Sequence, residues 1–154
     1  RDHPAFQNPF VDTGWPPKQC AGLASRRPRS TGERRPWCAH VVATGPESIA
    51  QVTCETDRAR FIGRGRTVQS PVALDAAGGL SNTAGAVLDP IAALRVRVKL
   101  EPGRSATVAF TTIVADSRDE ALIAADRHRD LGAPERALAL PGTVAQIEPR
   151  DLDG

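Results

Sequence analysis

The chain has 154 residues, enough for one domain with a core of its own. Apolar residues make up 40% and charged residues 25%, the balance of an ordinary globular protein, and the 20 bases nearly offset the 18 acids. With aromatics at 4% and no Tyr, the chain lacks the basic face and stacking platforms of a nucleic-acid binder; no apolar run is long enough to insert in a membrane, and no signal-peptide pattern opens the chain.

Met is absent, position 1 included, which points to a fragment or a processed chain. Gly and Pro, at 13 each, favour turns and short strands over long helices. Cys20, Cys38 and Cys54 form no Cys-x-x-Cys pair, so they read as reduced structural thiols of a cytosolic protein and no metal is expected.

Residues 1–36 are rich in loops. Phe6, Phe10 and Val11 suit one short strand, Trp15-Pro16-Pro17 a turn or polyproline segment, and Cys20 to Ser25 a strand. The basic run from Arg26 to Pro36 reads as a solvated loop, with an anionic partner as the competing reading. Trp37 to Ala43 reads as a strand, Gly45-Pro46-Glu47 as a turn, and Ile49 to Cys54 as a loosely alternating strand. Val68 to Leu74 reads as a short strand kinked or placed at an edge by Pro71.

Leu94, Val96, Val98 and Leu100 alternate with Arg95, Arg97 and Lys99, a strict period of two. Pro102-Gly103 suits a type II turn, and Ala106 to Ala115, apolar or Thr on both faces, returns as a central strand, so the pair is expected to form a hairpin. One helix follows, with Ser117 as cap, Glu120 as its reciprocal partner, an apolar stripe through Ala121, Leu122, Ala124, Ala125 and Leu131, and Gly132 as the stop. A second short helix is expected over 134–140. Strands first and helices after predict a mainly β chain: an antiparallel sandwich over 1–116, linker helices over 117–140 and a polar tail over 141–154.

The candidate for chemistry is the charged stretch from Glu55 to Thr67, which ends in Gly63-Arg64-Gly65-Arg66. It is not a phosphate loop, since no Gly-Lys-Ser/Thr follows, and not a dinucleotide fingerprint, since Val68 stands at the third glycine's place. Two readings compete. In one, the glycines let the backbone approach a ligand while the arginines donate to sugar hydroxyls or phosphate. In the other, Arg58, Arg60 and Arg64 pair with Glu55, Asp57 and Asp89 to hold a tight corner. Asp57 and Asp89 as a catalytic carboxylate pair is disfavoured, because neighbouring arginines hold a carboxylate ionised. His3, His40 and His128 are scattered and form no nucleophile–base order with Ser, Cys or Asp.

Several segments together resemble a known family: His3-Pro-Ala-Phe6, Arg26-Arg-Pro-Arg-Ser30, Trp37, Glu55 through Arg66, Leu80-Ser-Asn-Thr-Ala-Gly-Ala-Val-Leu-Asp-Pro-Ile91 and Leu94-Arg95. In that order they are similar to the phosphorylase-like region of the bacterial cyclic β-1,2-glucan synthases, which resembles the N-terminal β-sandwich of glycoside hydrolase family 94. The resemblance runs from about residue 3 to 130. It departs at Gly14, where an acidic residue is common, and at Pro141-Gly142, where the family continues into a helical linker.

The resemblance implies a two-layer antiparallel sandwich, supersandwich-like, with a C-terminal linker helix leading to an (α/α)6 barrel. It implies that the barrel holds the catalytic acid, and that β-glucan oligosaccharide and inorganic phosphate are ligands of the parent, with no cofactor. This chain is then a non-catalytic support, cytoplasmic, in a parent associated with the inner membrane. Arg60, Arg64 and Arg66 are expected at the rim of the sugar site, with Glu55, Asp57, Arg58 and Asp89 in structural ion pairs. A free-standing carbohydrate-binding module and a protein-docking sandwich are the alternatives.

Overall fold

A computed structural model describes residues 11–133 and 136, apart from 29, 50 and 76. Among the described residues six strands make two antiparallel sheets. The larger contains β1 (Val11–Gly14), β2 (Ala21–Arg26), β3 (Trp37–Thr44) and β6 (Val108–Ala115), in the order β1-β2-β3-β6. The smaller pairs β4 (Thr53–Asp57) with β5 (Pro90–Arg95). Two short helices, α1 (Arg58–Ile62) and α2 (Val72–Asp75), follow β4, and α3 (Arg118–Arg127) follows β6.

The larger sheet is covered on both faces, and small side chains make that possible. On one face Ala21, Leu23, Ala39 and Val41 meet Ala121 and Ala125 of α3, all at most 3% exposed. Alanines on the helix let its backbone approach the sheet closely, and Trp37, Ile113, Ala115 and Leu122 close the rim. On the other face Gly22, Ala24, Cys38 and His40 meet Cys54, Ile91 and Leu94 of the smaller sheet across a narrow apolar crevice. The two sheets are thus the layers of a sandwich, and α3 adds a cover to the larger one. The Ser117 hydroxyl accepts the Glu120 N–H at 3.2 Å and starts that helix.

The structure departs from the sequence expectations at several places. The 94–100/106–115 hairpin does not form: β5 pairs with β4, and β6 pairs with β3. Residues 96–107 carry the chain from one sheet to the other, pinned to Glu47–Ile49 by Ile49 N–H to Arg97 O at 3.0 Å and Lys99 N–H to Glu47 O at 2.9 Å. Their period-two pattern records extended backbone without a ladder, and Leu100 is left 55% exposed. The turn between them does form: Arg104 N–H reaches Glu101 O at 3.0 Å, and Gly103 has the positive φ of 72° that a type II turn demands.

The strand buried on both faces is β3, not β6. Among the described residues β6 is an edge strand, and the smaller sheet, seated over β2 and β3, leaves Phe110 and Val114 exposed. Of residues 49–54 only the last two belong to β4, whose pairing partners lie at 90–95. Val68 to Leu74 is not a strand. Thr67 and Ser70 bridge across a turn, and α2 begins just after Pro71, whose fixed φ suits a helix start. The helix α3 ends at Arg127, before Gly132, because the His128 N–H bonds the carbonyls of Ala124 and Ala125 and its Nδ1 lies 2.8 Å from Ala124 O. Most of the expected helix over 134–140, all of the tail, and Phe6 and Phe10 lie outside the described residues.

The basic run from Arg26 folds back on its own sheet. Arg27 and Arg35 reach Asp12 at 3.7 and 3.4 Å, Arg26 reaches Glu33 at 3.3 Å, and Arg35 stacks 5.0 Å from the Trp37 ring. No helix among the described residues is long and apolar enough to cross a membrane.

Leu23 sits where β2, β3 and α3 meet. Replacing it with Ala should cost about 2–5 kcal/mol of unfolding free energy, read as a lower urea midpoint at unchanged slope; a loss under about 0.5 kcal/mol would mean that the helix does not seal this face.

Candidate functional site

The charged corner grows out of a bulge in β4. Pairing to β5 runs Thr53↔Arg95, Cys54↔Leu94 and Glu55↔Ala93, then slips to Asp57↔Pro90. The slip is filled by a side chain. Glu55, only 3% exposed, turns its Oε1 back to accept the N–H groups of Thr56 and Asp57, each at 2.9 Å, while Oε2 accepts the Ser81 hydroxyl. A carboxylate this buried is tolerable because neutral donors satisfy it. The ion pair expected for Glu55 is therefore replaced by three hydrogen bonds.

The same bonds fix the loop after α2. Asn82 adopts the left-handed φ of 57° and doubles as a strand: its N–H bonds Cys54 O at 2.8 Å, and its side-chain oxygen accepts Cys54 N–H at 2.9 Å. Leu80 N–H bonds the Thr53 hydroxyl at 3.0 Å, and the Thr56 hydroxyl donates to Thr83 O at 2.8 Å. Thr13 of β1 exchanges backbone bonds with Gly85 at 3.0 Å in both directions, so this loop joins the smaller sheet to the edge of the larger.

Asp57 then caps α1, accepting the Ala59 N–H at 2.9 Å and the Arg60 N–H at 3.4 Å. Gly63 ends the helix at φ 84°, and a Cβ there would lie 2.7 Å from Val72 Cγ1, so only glycine lets α1 and α2 meet. The sequence did hold the signal for α1, an Asp cap followed five residues after α1 begins by a Gly stop, although one turn of helix gives no periodicity to read.

The arginines separate by their partners. Arg58 pairs with Asp89 at 3.2 Å, Arg60 with Asp57 at 3.7 Å and Arg66 with Asp75 at 2.7 Å. Arg64, exposed at the tip, makes no ion pair among the described residues. Nor do Arg60, Arg64 and Arg66 share one cleft. Arg60 lines a hollow of about 340 Å³ with Glu55, Phe61, Leu80 and Ser81. Arg64 lines a shallower one of about 470 Å³ with Arg58, Ile62, Gly63 and Asp89. Arg66 is folded onto Asp75 and Ser70.

No group of His, Cys, Asp and Glu among the described residues has the spacing of a metal site. His40 stacks on Phe110 and lies 3.0 Å from the Thr112 hydroxyl, and His128 closes α3. The cysteines are free. Burial raises the Cys38 thiol, and burial with the neighbouring Glu55 charge pushes Cys54 up to about 12. Both face the crevice between the sheets, so they are packing groups and poor nucleophiles.

The family model described as "Glycosyl hydrolase 94, supersandwich domain" matches residues 1–131. The chain is also 35% identical over 150 residues to the cyclic beta-(1,2)-glucan synthase NdvB of Rhizobium meliloti (strain 1021). That alignment takes in 97% of this chain and 5% of the synthase, so the chain spans a small part of the relative's length.

Two outcomes test the corner. Glu55→Ala removes the acceptor that fills the bulge and should cost about 2–4 kcal/mol in a denaturant melt, with Glu55→Gln losing less; equal melts for all three proteins would mean that the carboxylate holds nothing. The Cys54 thiol stays protonated in the fold to about 12, whereas the unfolded thiol ionises near 9.0. Its contribution is whole below pH 9 and falls away between there and pH 12, because only the unfolded chain releases the proton. Stability should therefore drop across that window, and Cys54→Ala should flatten the drop.

Proposed function

This chain belongs to the glycosyl hydrolase 94 supersandwich family, and from that membership we propose that it is the non-catalytic β-sandwich of a larger enzyme acting on β-glucan. The observation that carries the reading is the family match over residues 1–131, joined to 35% identity with a cyclic beta-(1,2)-glucan synthase of which the chain spans 5%. The sandwich supports an (α/α)6 barrel elsewhere in the parent. The barrel supplies the catalytic acid and binds inorganic phosphate, and no cofactor enters. The parent sits at a bacterial inner membrane with this domain on the cytoplasmic side.

The carboxylates of the corner favour a supporting role. Glu55 fills the bulge, Asp57 caps α1 and Asp89 holds Arg58. An acid that protonates a glycosidic oxygen needs a carboxyl kept neutral and facing its substrate. The oxygens of these carboxylates are instead engaged by N–H donors and a guanidinium. The arginine tip favours a contribution to the sugar rim. Arg58, Arg60 and Arg66 are engaged in ion pairs, while the Gly63 corner holds out Arg64, whose forked donors match vicinal hydroxyls. Arg64 is thus the first candidate for sugar contact, ahead of Arg60 and Arg66.

Purified chain mixed with β-1,2-gluco-oligosaccharides and inorganic phosphate should release no sugar phosphate, and should bind the oligosaccharides only when the barrel is present. Turnover by the chain alone would remove the non-catalytic reading, and saturable glycan binding by it would make it a binding module. In the full enzyme Arg64→Ala should lower glucan turnover about 10- to 100-fold with the thermal midpoint unchanged. Arg66→Ala should instead lower the midpoint, and wild-type turnover in Arg64→Ala would return Arg64 to a surface charge.

A further inference from the structure

The two edges of the larger sheet differ. At β1 the edge is short and closed: Thr13 exchanges backbone bonds with Gly85 at 3.0 Å in both directions, and Asp12 bridges to Ala86. At β6 the edge is eight residues long, and among the described residues no backbone group bonds its outer side. Its pairing to β3 runs without a shift from Thr44↔Val108 to Trp37↔Ala115, so no bulge turns the edge away. The strand itself, Val108-Ala-Phe-Thr-Thr-Ile-Val-Ala115, holds no charge, no Pro and no Gly. It thus lacks the devices by which a solvated edge strand avoids pairing.

Its two faces differ as well. Ile113 and Ala115 pack on the side that α3 covers. Phe110, Thr112 and Val114 stand on the other side, directly opposite Val42, His40 and Cys38 in the register. The smaller sheet covers Cys38 and His40 and stops there, which leaves Phe110 54% and Val114 74% exposed. Among the described residues the sandwich is therefore open at one place in both layers. The larger sheet has no neighbour for β6, and the second layer has no strand above it.

These paired openings select the occupant. A second copy that paired β6 to β6 would satisfy the edge, but its Phe110 and Val114 would lie beside their counterparts on the same face, and that face would stay wet. What fits both openings is a stretch of chain that lays one extended strand along β6 and apolar side chains over Phe110 and Val114. It must be uncharged where it meets them, because β6 offers no partner for a desolvated charge. A parent with the length of the matched synthase has chain enough to supply it, since the alignment takes in 97% of this chain and 5% of the synthase.

We infer that the outer edge of β6, with Phe110 and Val114 above it, is the seam at which another stretch of the parent enzyme continues this sandwich. That stretch takes up the outward N–H and C=O groups of Val108–Ala115 and covers the apolar strip. The inference rests on the reading of the chain as part of a larger enzyme and adds where the rest of that enzyme joins it. The seam lies on β6, outside the corner that carries Arg64.

The test is amide hydrogen exchange over Val108–Ala115, in the 154-residue chain and in the full enzyme. Alternate amides of β6 point away from β3. They should exchange near the free-chain rate in the chain alone and about 100-fold or more slowly in the enzyme. Val114→Lys should leave the melting midpoint of the chain alone unchanged, and in the full enzyme should lower the midpoint and restore fast exchange. Fast exchange of these amides in the full wild-type enzyme would overturn the inference. Slow exchange in the dilute chain alone would do so too, by showing that this chain's own residues close the edge. Protection that grows with the concentration of the chain alone would overturn it in favour of a second copy. Failure of the glucan reading is seen separately: a full enzyme with protected β6 amides and no glucan turnover loses that reading and keeps the seam.

Discussion

A single carboxylate sets the geometry on which the corner depends. Glu55 sits inside the protein, and its oxygens take the N–H groups that a bulged strand would otherwise leave unpaired. Burying such a group without partners would be costly; with three donors it becomes a clamp. One end of the clamp holds the backbone of β4, and the other holds Ser81. From there Asn82, Thr83 and Gly85 pass the constraint to β1, so the loop between α2 and β5 is fastened along both sheets.

That fastening explains why so much polar and charged sequence can lie on the outer face of the smaller sheet without opening it. The arginines of the corner fall into two classes. Arg58, Arg60 and Arg66 each have an acid neighbour, in pairs that are partly exposed. Arg64 is held out by a glycine corner whose shape is set by the contact with Val72. Arg95 and Arg97 form a separate group at the other end of the same face, under the same loop.

Much of this was legible in the residues. The strands β2 and β3, the turn at Pro102-Gly103 and the capped start of α3 follow from alternation, from a Pro-Gly pair and from a Ser followed by Glu. Family membership was legible too, because the motif around Glu55 to Arg66 and the segment Leu80 to Ile91 occur together and in order. The hairpin was not. Leu94 to Leu100 alternates as a paired strand does, yet alternation reports only which side chains point the same way. Strand partners are chosen by distant residues, and here β4 and β3 claimed β5 and β6 separately. The contrast between Arg64 and its neighbours was equally hidden, since Asp75 and Asp89 lie 9 and 31 residues from the arginines they neutralise.

Taken alone, the sequence determined the local matters: mainly extended backbone, one capped helix at the end, glycine where the chain must turn through positive φ, and the family. These depend on side-chain volume, on φ preference and on motif order, which neighbours in the chain settle among themselves. Only the tertiary structure decided which strands pair, that α3 covers the sheet through Ala121 and Ala125, and that Glu55 is a buried acceptor. Those outcomes depend on which groups lose their water together, and that is fixed when distant segments meet.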